Sequence, residues 1–355
     1  MSWLECRLGD IIELKYGKGL PERKRVPGNV PVYGSGGIVG MHKEALVAGP
    51  GIILGRKGSV GSVYYEKNDF FPIDTVYYVL NDSENSDFRF LYYLLLYLPL
   101  ETLNSDAAVP GLNRETALRQ KISIPDLPIQ RKTASILSAY DDLIENNQRR
   151  IALLEHAARL LYKEWFVHLR FPGHEHVKII DGVPGGWEKT NLGTALTLQR
   201  GFDLPVEARK AGSIPIYAST GVHGYHDVAK VEGPGVVTGR SGSLGTVIYV
   251  TDSFWPLNTT LWVKEFKRVS PIFAYHLLLG LKLEQYDGGA AVPTLNRNDV
   301  HRIDVLIPSY RVINLFSETV TPFYQQISKF KKYSDKLKEA RDLILPRLMN
   351  GEIVV

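Results

Sequence analysis

The feature that most limits what this chain can fold into is that it repeats itself. Leu8-Gly9, Gly17, Leu20-Pro21, Pro31, Tyr33, Gly49-Pro50-Gly51, Gly55-Arg56, Gly58-Ser59 and Gly61 return as Leu192-Gly193, Gly201, Leu204-Pro205, Pro215, Tyr217, Gly233-Pro234-Gly235, Gly239-Arg240, Gly242-Ser243 and Gly245. The offset is constant, with Gly17 and Gly201 lying 184 positions apart in 355 residues. A solenoid turn is about 20 to 50 residues, so a unit this long is a whole module copied in tandem. The copy begins at a tryptophan, Trp3 in one half and Trp187 in the other. A two-fold plan is therefore expected of the function as well.

Inside each copy, short β-branched or aromatic runs alternate with glycine-rich turns, the signature of a β-rich module. Val30 to Tyr33, Gly51 to Leu54, Ser62 to Tyr65 and Thr75 to Leu80 predict strands, matched by Ile214 to Tyr217, Gly235 to Thr238, Thr246 to Val250 and Thr259 to Lys264. An apolar run from Phe90 to Leu100, and its copy Ile272 to Leu281, predict one buried helix each, being too short to span a bilayer. A second shared loop follows, Ala107-Ala108-Val109-Pro110-Gly111-Leu112-Asn113-Arg114 against Ala290-Ala291-Val292-Pro293-Thr294-Leu295-Asn296-Arg297, where one residue has been lost. Each copy closes on a short strand ending in proline, Ile122-Ser123-Ile124-Pro125 and Val305-Leu306-Ile307-Pro308.

Beyond each closing proline the apolar period changes from strand to helix. Ile313, Phe316, Val320, Phe323, Ile327, Phe330, Ser334, Leu337, Arg341, Ile344 and Leu348 keep alternating steps of three and four, a heptad seam. In the first copy Ile136, Tyr140, Leu143, Asn147, Ile151, Leu154, Ala158, Leu161 and Trp165 do the same, with a stutter between Asn147 and Ile151. Thr321-Pro322 predicts a kink or a restart with threonine as cap. The two seams are expected to pair. Asn147, Ser334 and Arg341 either fix the register of that pair or lie near a solvated edge. The order is module, helix, module, helix, so antiparallel helices would make the chain pseudo-circular.

Charge and motifs exclude several classes of function. A net charge of +4 permits a nucleic-acid partner without requiring one. A single cysteine cannot form an internal disulfide, and without a secretory signal or a membrane-length apolar run the cytoplasm is the expected compartment. Gly55-Arg56-Lys57-Gly58-Ser59-Val60-Gly61 and Gly239-Arg240-Ser241-Gly242-Ser243-Leu244-Gly245 lack the ending of a nucleotide P-loop and lie between strands. They are either tight structural hairpins or backbone N–H groups offered to a phosphate beside an arginine. Arg23-Lys24-Arg25 and Arg209-Lys210 occupy matching loops, as do His42 and His226. Metalloprotease, serine-hydrolase, amino-methyltransferase and nuclease signatures are missing, so neither a catalytic residue nor a metal site is assigned.

The helical segments resemble a known family. Asp142-Leu143-Ile144-Glu145-Asn146-Asn147-Gln148-Arg149-Arg150-Ile151-Ala152-Leu153-Leu154-Glu155, Leu161-Tyr162-Lys163-Glu164-Trp165-Phe166 and Arg170-Phe171-Pro172-Gly173 closely resemble the central helical region of type I restriction-modification specificity subunits. Arg341-Asp342-Leu343-Ile344-Leu345-Pro346-Arg347-Leu348-Met349-Asn350-Gly351-Glu352-Ile353 is similar to their distal helical region.

The resemblance implies an α+β chain of two β-rich target-recognition domains separated by two long antiparallel coiled-coil helices. Recognition domain 1 is expected over 1–128, a central helical spacer over 129–171, a linker over 172–186, recognition domain 2 over 187–310 and a distal spacer over 311–350. It further implies a non-catalytic reader of a bipartite site in double-stranded DNA. Two modification subunits using S-adenosylmethionine would dock on the helices, and two restriction subunits using ATP and Mg2+ would complete the complex.

DNA contacts are then expected at Lys18, Arg23, Lys24, Arg25, Arg56, Lys57, Ser59, Asn113 and Arg114 in the first copy. In the second they are expected at Arg209, Lys210, His223, Tyr225, Arg240, Ser241, Ser243, Asn296 and Arg297. Residues common to both copies should hold the frame or the phosphates. Base readers should lie where the copies differ: Lys18 against Phe202, Arg23-Lys24 against Glu207-Ala208, Val39 against His223, Met41 against Tyr225, Lys57 against Ser241. The alternative is a duplicated-domain scaffold that binds protein, and a third reading is a small-molecule enzyme built on the glycine loops.

Overall fold

The computed structural model describes residues 3–81, 86–103, 111–288 and 293–355. Its first module comprises β1 (Leu4–Arg7), β2 (Lys15–Tyr16), β3 (Val30–Gly34), β4 (Gly37–His42), β5 (Gly51–Gly55), β6 (Val63–Glu66), β7 (Phe71–Pro72), β8 (Val76–Leu80), helices α1 (Phe88–Tyr97) and α2 (Arg114–Leu118), and β9 (Lys121–Ile124). Helix α3 (Leu127–Tyr162) follows, and a short hairpin of β10 (Ile179–Ile180) and β11 (Val183–Pro184) leads to the second module. That module comprises β12 (Glu188–Asn191), α4 (Leu192–Ala195), β13 (Leu196–Arg200), β14 (Ile214–Ala218), β15 (Gly221–His226), β16 (Gly235–Gly239), β17 (Val247–Val250), β18 (Trp255–Pro256), β19 (Thr260–Phe266), α5 (Pro271–Gly280), α6 (Arg297–His301) and β20 (Asp304–Ile307). Helix α7 (Tyr310–Met349) ends the order.

The duplication is complete at the level of topology. One four-stranded sheet runs β2-β8-β5-β6 and its copy β13-β19-β16-β17; one three-stranded sheet runs β4-β3-β7 and its copy β15-β14-β18. An antiparallel pair closes each module, β1 with β9 and β12 with β20. Successive strand residues face opposite sides, and β5 is buried along its whole length. Ile52 and Leu54 therefore pack with Phe90, Leu91 and Leu94 of α1, while Ile53 packs with Tyr33 of the small sheet and with Phe70 just before β7. In the copy, Val236 takes the α5 side with Phe273 and Val237 takes the small-sheet side with Phe254. Asp87 caps α1 by accepting from the Phe90 N–H, and Ser270 caps α5 through the Phe273 N–H.

The chain divides into two compact units, Met1–Asn146 with Tyr333–Val355, and Asn147–Lys332. The first unit thus joins both chain ends. The Trp3 indole lies against Gly351, where an added Cβ would come within 2.9 Å of the ring, and Leu345, Leu348 and Met349 enter the same core as Leu8 and Leu137. In this unit Arg341 donates to Asp141 at 2.5 Å, and the Tyr93 hydroxyl of α1 donates to the other Asp141 oxygen at 2.6 Å. In the second unit Arg150 lies over Phe330 while Tyr162 meets Phe316, so α3 and α7 run antiparallel there. Phe166 packs at 4.9 Å on Phe273 and 5.0 Å on Phe316, and His276 stacks on Tyr162.

The structure corrects three helical expectations. Between residues 127 and 146 the buried positions are Gln130, Thr133, Ala134, Leu137 and Ile144, whereas Ile136 and Leu143 are exposed. The seam there is displaced by one residue because the charged Asp141 occupies a seam position, facing Arg341. That ion pair, with side chains only 19–20 % exposed, makes Arg341 a registering contact of the seam and not a solvated edge. Helix α7 continues through Pro322 without a break. A mid-helix proline costs about 3 kcal/mol, and the buried Ile313, Phe316, Val320, Tyr324 and Ile327 on both sides of it hold the helix together. Finally, α3 ends in a π-helical turn at Lys163–Val167, short of Phe171.

Candidate nucleic-acid interface

In each module the predicted residues fall into two groups, tied to different loops. The first group surrounds the glycine loop between β5 and β6. Gly55 N–H donates to the Ser62 carbonyl and Gly61 N–H to the Gly55 carbonyl; Arg56 and Lys57 N–H both reach the Thr75 carbonyl. The second loop, Gly239 to Thr246, repeats the pattern, with Arg240 and Ser241 N–H on Thr259. The N–H groups of Gly55, Arg56, Lys57 and Gly61, and of Gly239, Arg240 and Ser241, are thus bonded within the module, so these do not face an anion. What projects are side chains: Lys57 and Ser59 are exposed, Arg56 is half-buried, and Ser243 is exposed beside the half-buried Ser241.

The same rim receives the start of the short helix in each copy. Leu112 N–H donates to the Arg56 carbonyl and Leu295 N–H to the Arg240 carbonyl, which brings Asn113-Arg114 and Asn296-Arg297 alongside. The asparagine oxygens are committed to capping, Asn113 to the Thr116 N–H and Asn296 to the Asn298 N–H. The shared asparagines therefore hold the frame. Lys18 is exposed near this rim, its own N–H bonded to the Pro72 carbonyl. Residues 107–110 and 290–292 lie outside the described residues.

Arg56 donates from Nη1 to the Asp74 carbonyl at 3.2 Å and sits over the rings of Tyr16 (5.0 Å) and Tyr77 (5.7 Å). Arg114 lies over the same Tyr16 ring at 5.8 Å. Burial, and then the neighbouring Tyr16 hydroxyl, raise the Tyr77 phenol above its ordinary value, so it remains the neutral donor to the Leu112 carbonyl at 3.0 Å. Arg240 repeats the Arg56 bond on Asn258, at 3.4 Å. Among the described residues none of Arg56, Arg114, Arg240 and Arg297 has a carboxylate partner at ion-pair distance. Their charge is therefore available to an anion.

The second group is organised by the β3–β4 hairpin and its copy β14–β15, which glycine-rich sequence had concealed. Arg25 donates to the Val39 carbonyl at 2.6 Å, and Arg209, at the matching position, to the His223 carbonyl at 2.9 Å. Gly40 (φ +151°) makes room for this, since a Cβ there would fall 2.6 Å from Arg25 Nη1. His42 Nδ1 accepts from the Val26 N–H and His226 Nδ1 from the Lys210 N–H, which is the structural role for both histidines. Arg25 and Arg209 thus clamp the hairpin. Arg23 and Lys24 stand exposed on the 3-10 turn Glu22–Lys24 that leads into the clamp, and Lys210 is exposed next to it.

The hairpin carries bare apolar side chains outward: Ile38, Val39 and Met41 are 56, 43 and 51 % exposed, and Val222 and Tyr225 are 51 and 57 %. His223 is exposed between them. Exposed apolar residues in the same hairpin of both copies, beside cations, mark a contact surface. Sequence reasoning named Val39, Met41, His223 and Tyr225 from the mismatch between copies, but missed Ile38 and Val222. It also missed Tyr16 and its match Arg200, which the same comparison of copies would have found.

Residues 2–156 match the family model of the type I restriction modification DNA specificity domain. The chain is 25% identical over 338 residues to the MjaIX type I specificity subunit of Methanocaldococcus jannaschii, covering 86% of this chain and 78% of that protein. It is 22% identical to the HindI specificity subunit of Haemophilus influenzae, over 88% of each chain. Its fold is similar to that of a crystal structure of a type I restriction-modification S subunit from M. genitalium, with a TM-score of 0.63, 19% identity, and 98% and 96% of the two chains covered. No helix among the described residues is long and apolar enough to cross a membrane.

Proposed function

We propose that this chain is a type I restriction-modification specificity subunit, as its matched residues 2–156 and its relatives suggest, that it reads a bipartite site in double-stranded DNA, one block per module, and that it performs no catalysis itself. The observation that carries this reading is the pairing of sameness and difference between the copies. Arg56 and Arg240, clamped alike on a carbonyl and free of carboxylates, repeat in both modules and suit phosphates. The hairpin residues Val39 and Met41 against His223 and Tyr225 differ, and a two-stranded ribbon fits the major groove, where base pairs are distinguishable. Apolar side chains there favour thymine methyl groups; a histidine and a tyrosine offer hydrogen bonds.

The helices supply the second half of the proposal. Ile136 and Leu143 in the first unit are 38 and 51 % exposed, one heptad apart; Leu153 and Leu160 in the second are 60 and 49 % exposed at the same spacing. Such bare stripes on otherwise packed helices suit protein partners. Modification subunits carrying S-adenosylmethionine are the proposed occupants. Restriction subunits using ATP and Mg2+ would join through that assembly, and the helix pair would set the unread spacer.

Equilibrium titration of a labelled mixed-sequence duplex with the full chain at two salt concentrations tests the reading. A DNA reader loses affinity steeply with salt because each neutralised phosphate releases counterions. Absence of salt-dependent binding would favour the protein-binding scaffold.

A further inference from the structure

The two modules differ at one point of the rim in a way that base reading does not explain. In the first, Arg56 and Arg114 are both covered by the Tyr16 ring, which lies 5.1 Å from Tyr77. Tyr16 and Tyr77 are replaced 184 positions later by Arg200 and Leu261. The ring that covers the guanidinium groups is gone and a third guanidinium stands in its place. Arg200, Arg240 and Arg297 line one open depression of about 530 Å3 together with Leu261, Thr294 and Asn296, and among the described residues no carboxylate lines it. Among the described residues none of the three arginines lies over an aromatic ring.

The chemistry of three convergent guanidinium groups is specific. Each presents forked N–H donors that match the oxygens of a phosphate. The nearest competitors for them are weak. Arg200 lies 3.6 Å from Asp203 in a pair whose side chains are 52 and 70 % exposed, which water and salt screen. Asp203 also accepts from Asn258, so it keeps a partner when Arg200 turns away. The Asp287 carboxylate is taken by the Thr294 N–H at 3.0 Å. Arg240 is held by its bond to the Asn258 carbonyl, and Arg297 is exposed.

We infer that the second module alone carries a phosphate clamp formed by Arg200, Arg240 and Arg297, which grips one phosphodiester of the duplex backbone. The first module lacks the third guanidinium: Tyr16 stands at that position with its ring against Arg56 and Arg114, which leaves two cations for the backbone where the second module has three. The clamp rests on the DNA-reading proposal and adds an asymmetry to it. The two modules are unequal anchors, and the second holds the backbone more tightly in a manner independent of base sequence.

The test uses the full chain and a labelled duplex of mixed sequence, titrated across a salt series. Wild type, Arg200→Gln, Arg200→Lys, the double variant Arg200→Gln/Arg297→Gln and the exposed-helix control Lys331→Gln are compared, each checked for an unchanged thermal midpoint. One phosphate contact contributes about 0.9 to the slope of log affinity against log salt on B-form DNA. Arg200→Gln is expected to lower affinity several-fold on every duplex and to flatten the slope by up to about one. Arg200→Lys and Lys331→Gln should keep the wild-type slope, and the double variant should flatten it at least as much as the single. Wild-type slope retained by the double variant would overturn the clamp and leave the DNA-reading proposal standing. A wild-type chain without any salt-dependent binding would overturn both.

Discussion

Lowering the pH should destabilise the second unit through one histidine. His276 of α5 is 2 % exposed, stacked on Tyr162, edge-on to Phe316, and within 3.2 Å of the Tyr324 hydroxyl. Burial, and then the positive Arg159, lower its pKa from 6.5 to about 3. The unfolded chain binds the proton near 6.5 and the folded chain only near 3, so the unfolded state holds more protons between those values. Stability from this group is full above pH 6.5 and falls as pH drops towards 3. At about 1.36 kcal/mol per unit, two units below the unfolded value cost roughly 2 to 3 kcal/mol. For a unit of this size that is a fall in Tm of roughly 5 to 10 °C. Carboxylates titrate in the same range, so the comparison is with His276→Phe, which keeps the ring and removes the proton site. The variant loses the hydrogen bond to Tyr324, about 1 kcal/mol at neutral pH, but its stability should fall less steeply in acid. Urea unfolding followed by aromatic fluorescence from pH 7.5 to 4.5 reads this directly. Parallel pH profiles for wild type and His276→Phe would refute the argument.

Three further outcomes follow. Arg341→Met leaves the Asp141 carboxylate without a counter-charge, held only by the Tyr93 hydroxyl in a part-buried site, and should destabilise the first unit by about 3 kcal/mol in urea unfolding. The double change Asp141→Leu/Arg341→Met should recover most of that, and a double variant no better than the single would show that the pair is not coupled. Arg56→Gln should weaken binding to every duplex and flatten the salt slope by about one, since the equivalent arginine recurs in both modules; a changed sequence preference at constant slope would reverse its assignment. Met41→Ala and Tyr225→Ala, both on exposed hairpins, should each alter preference in a different block of the site while leaving the slope alone, as scored by in-cell methylation motifs. If both changed the same block, the division of one block per module would fail.

The comparison of copies made the modules legible. Identical punctuation at one offset marked the same loops twice, and Val30, Gly51 and Val76 begin strands that the alternating pattern predicted. The β3–β4 hairpin was hidden because β4 reads Gly37-Ile38-Val39-Gly40-Met41-His42, whose glycines look like a turn. Its strand geometry comes from Arg25 and His42, contacts between residues 14 to 16 positions apart. The seam of α3 slipped for a related reason. A hydrophobic template prefers Leu143 to Asp141, but Asp141 has Arg341 and Tyr93 to satisfy it, partners that local pattern cannot supply. At the rim, the glycine loop showed which arginines cluster but not that the Arg56, Lys57, Arg240 and Ser241 N–H groups were already used. That depended on Thr75 and Thr259 across the sheet.

Under the proposed function, two similar modules read two different blocks of one DNA site. Single-molecule sequencing of methylated bases, in a host that expresses this chain with its modification subunit, tests it most directly. One new motif of two short, dissimilar blocks separated by a fixed run of unread bases is expected. A single continuous motif would contradict it.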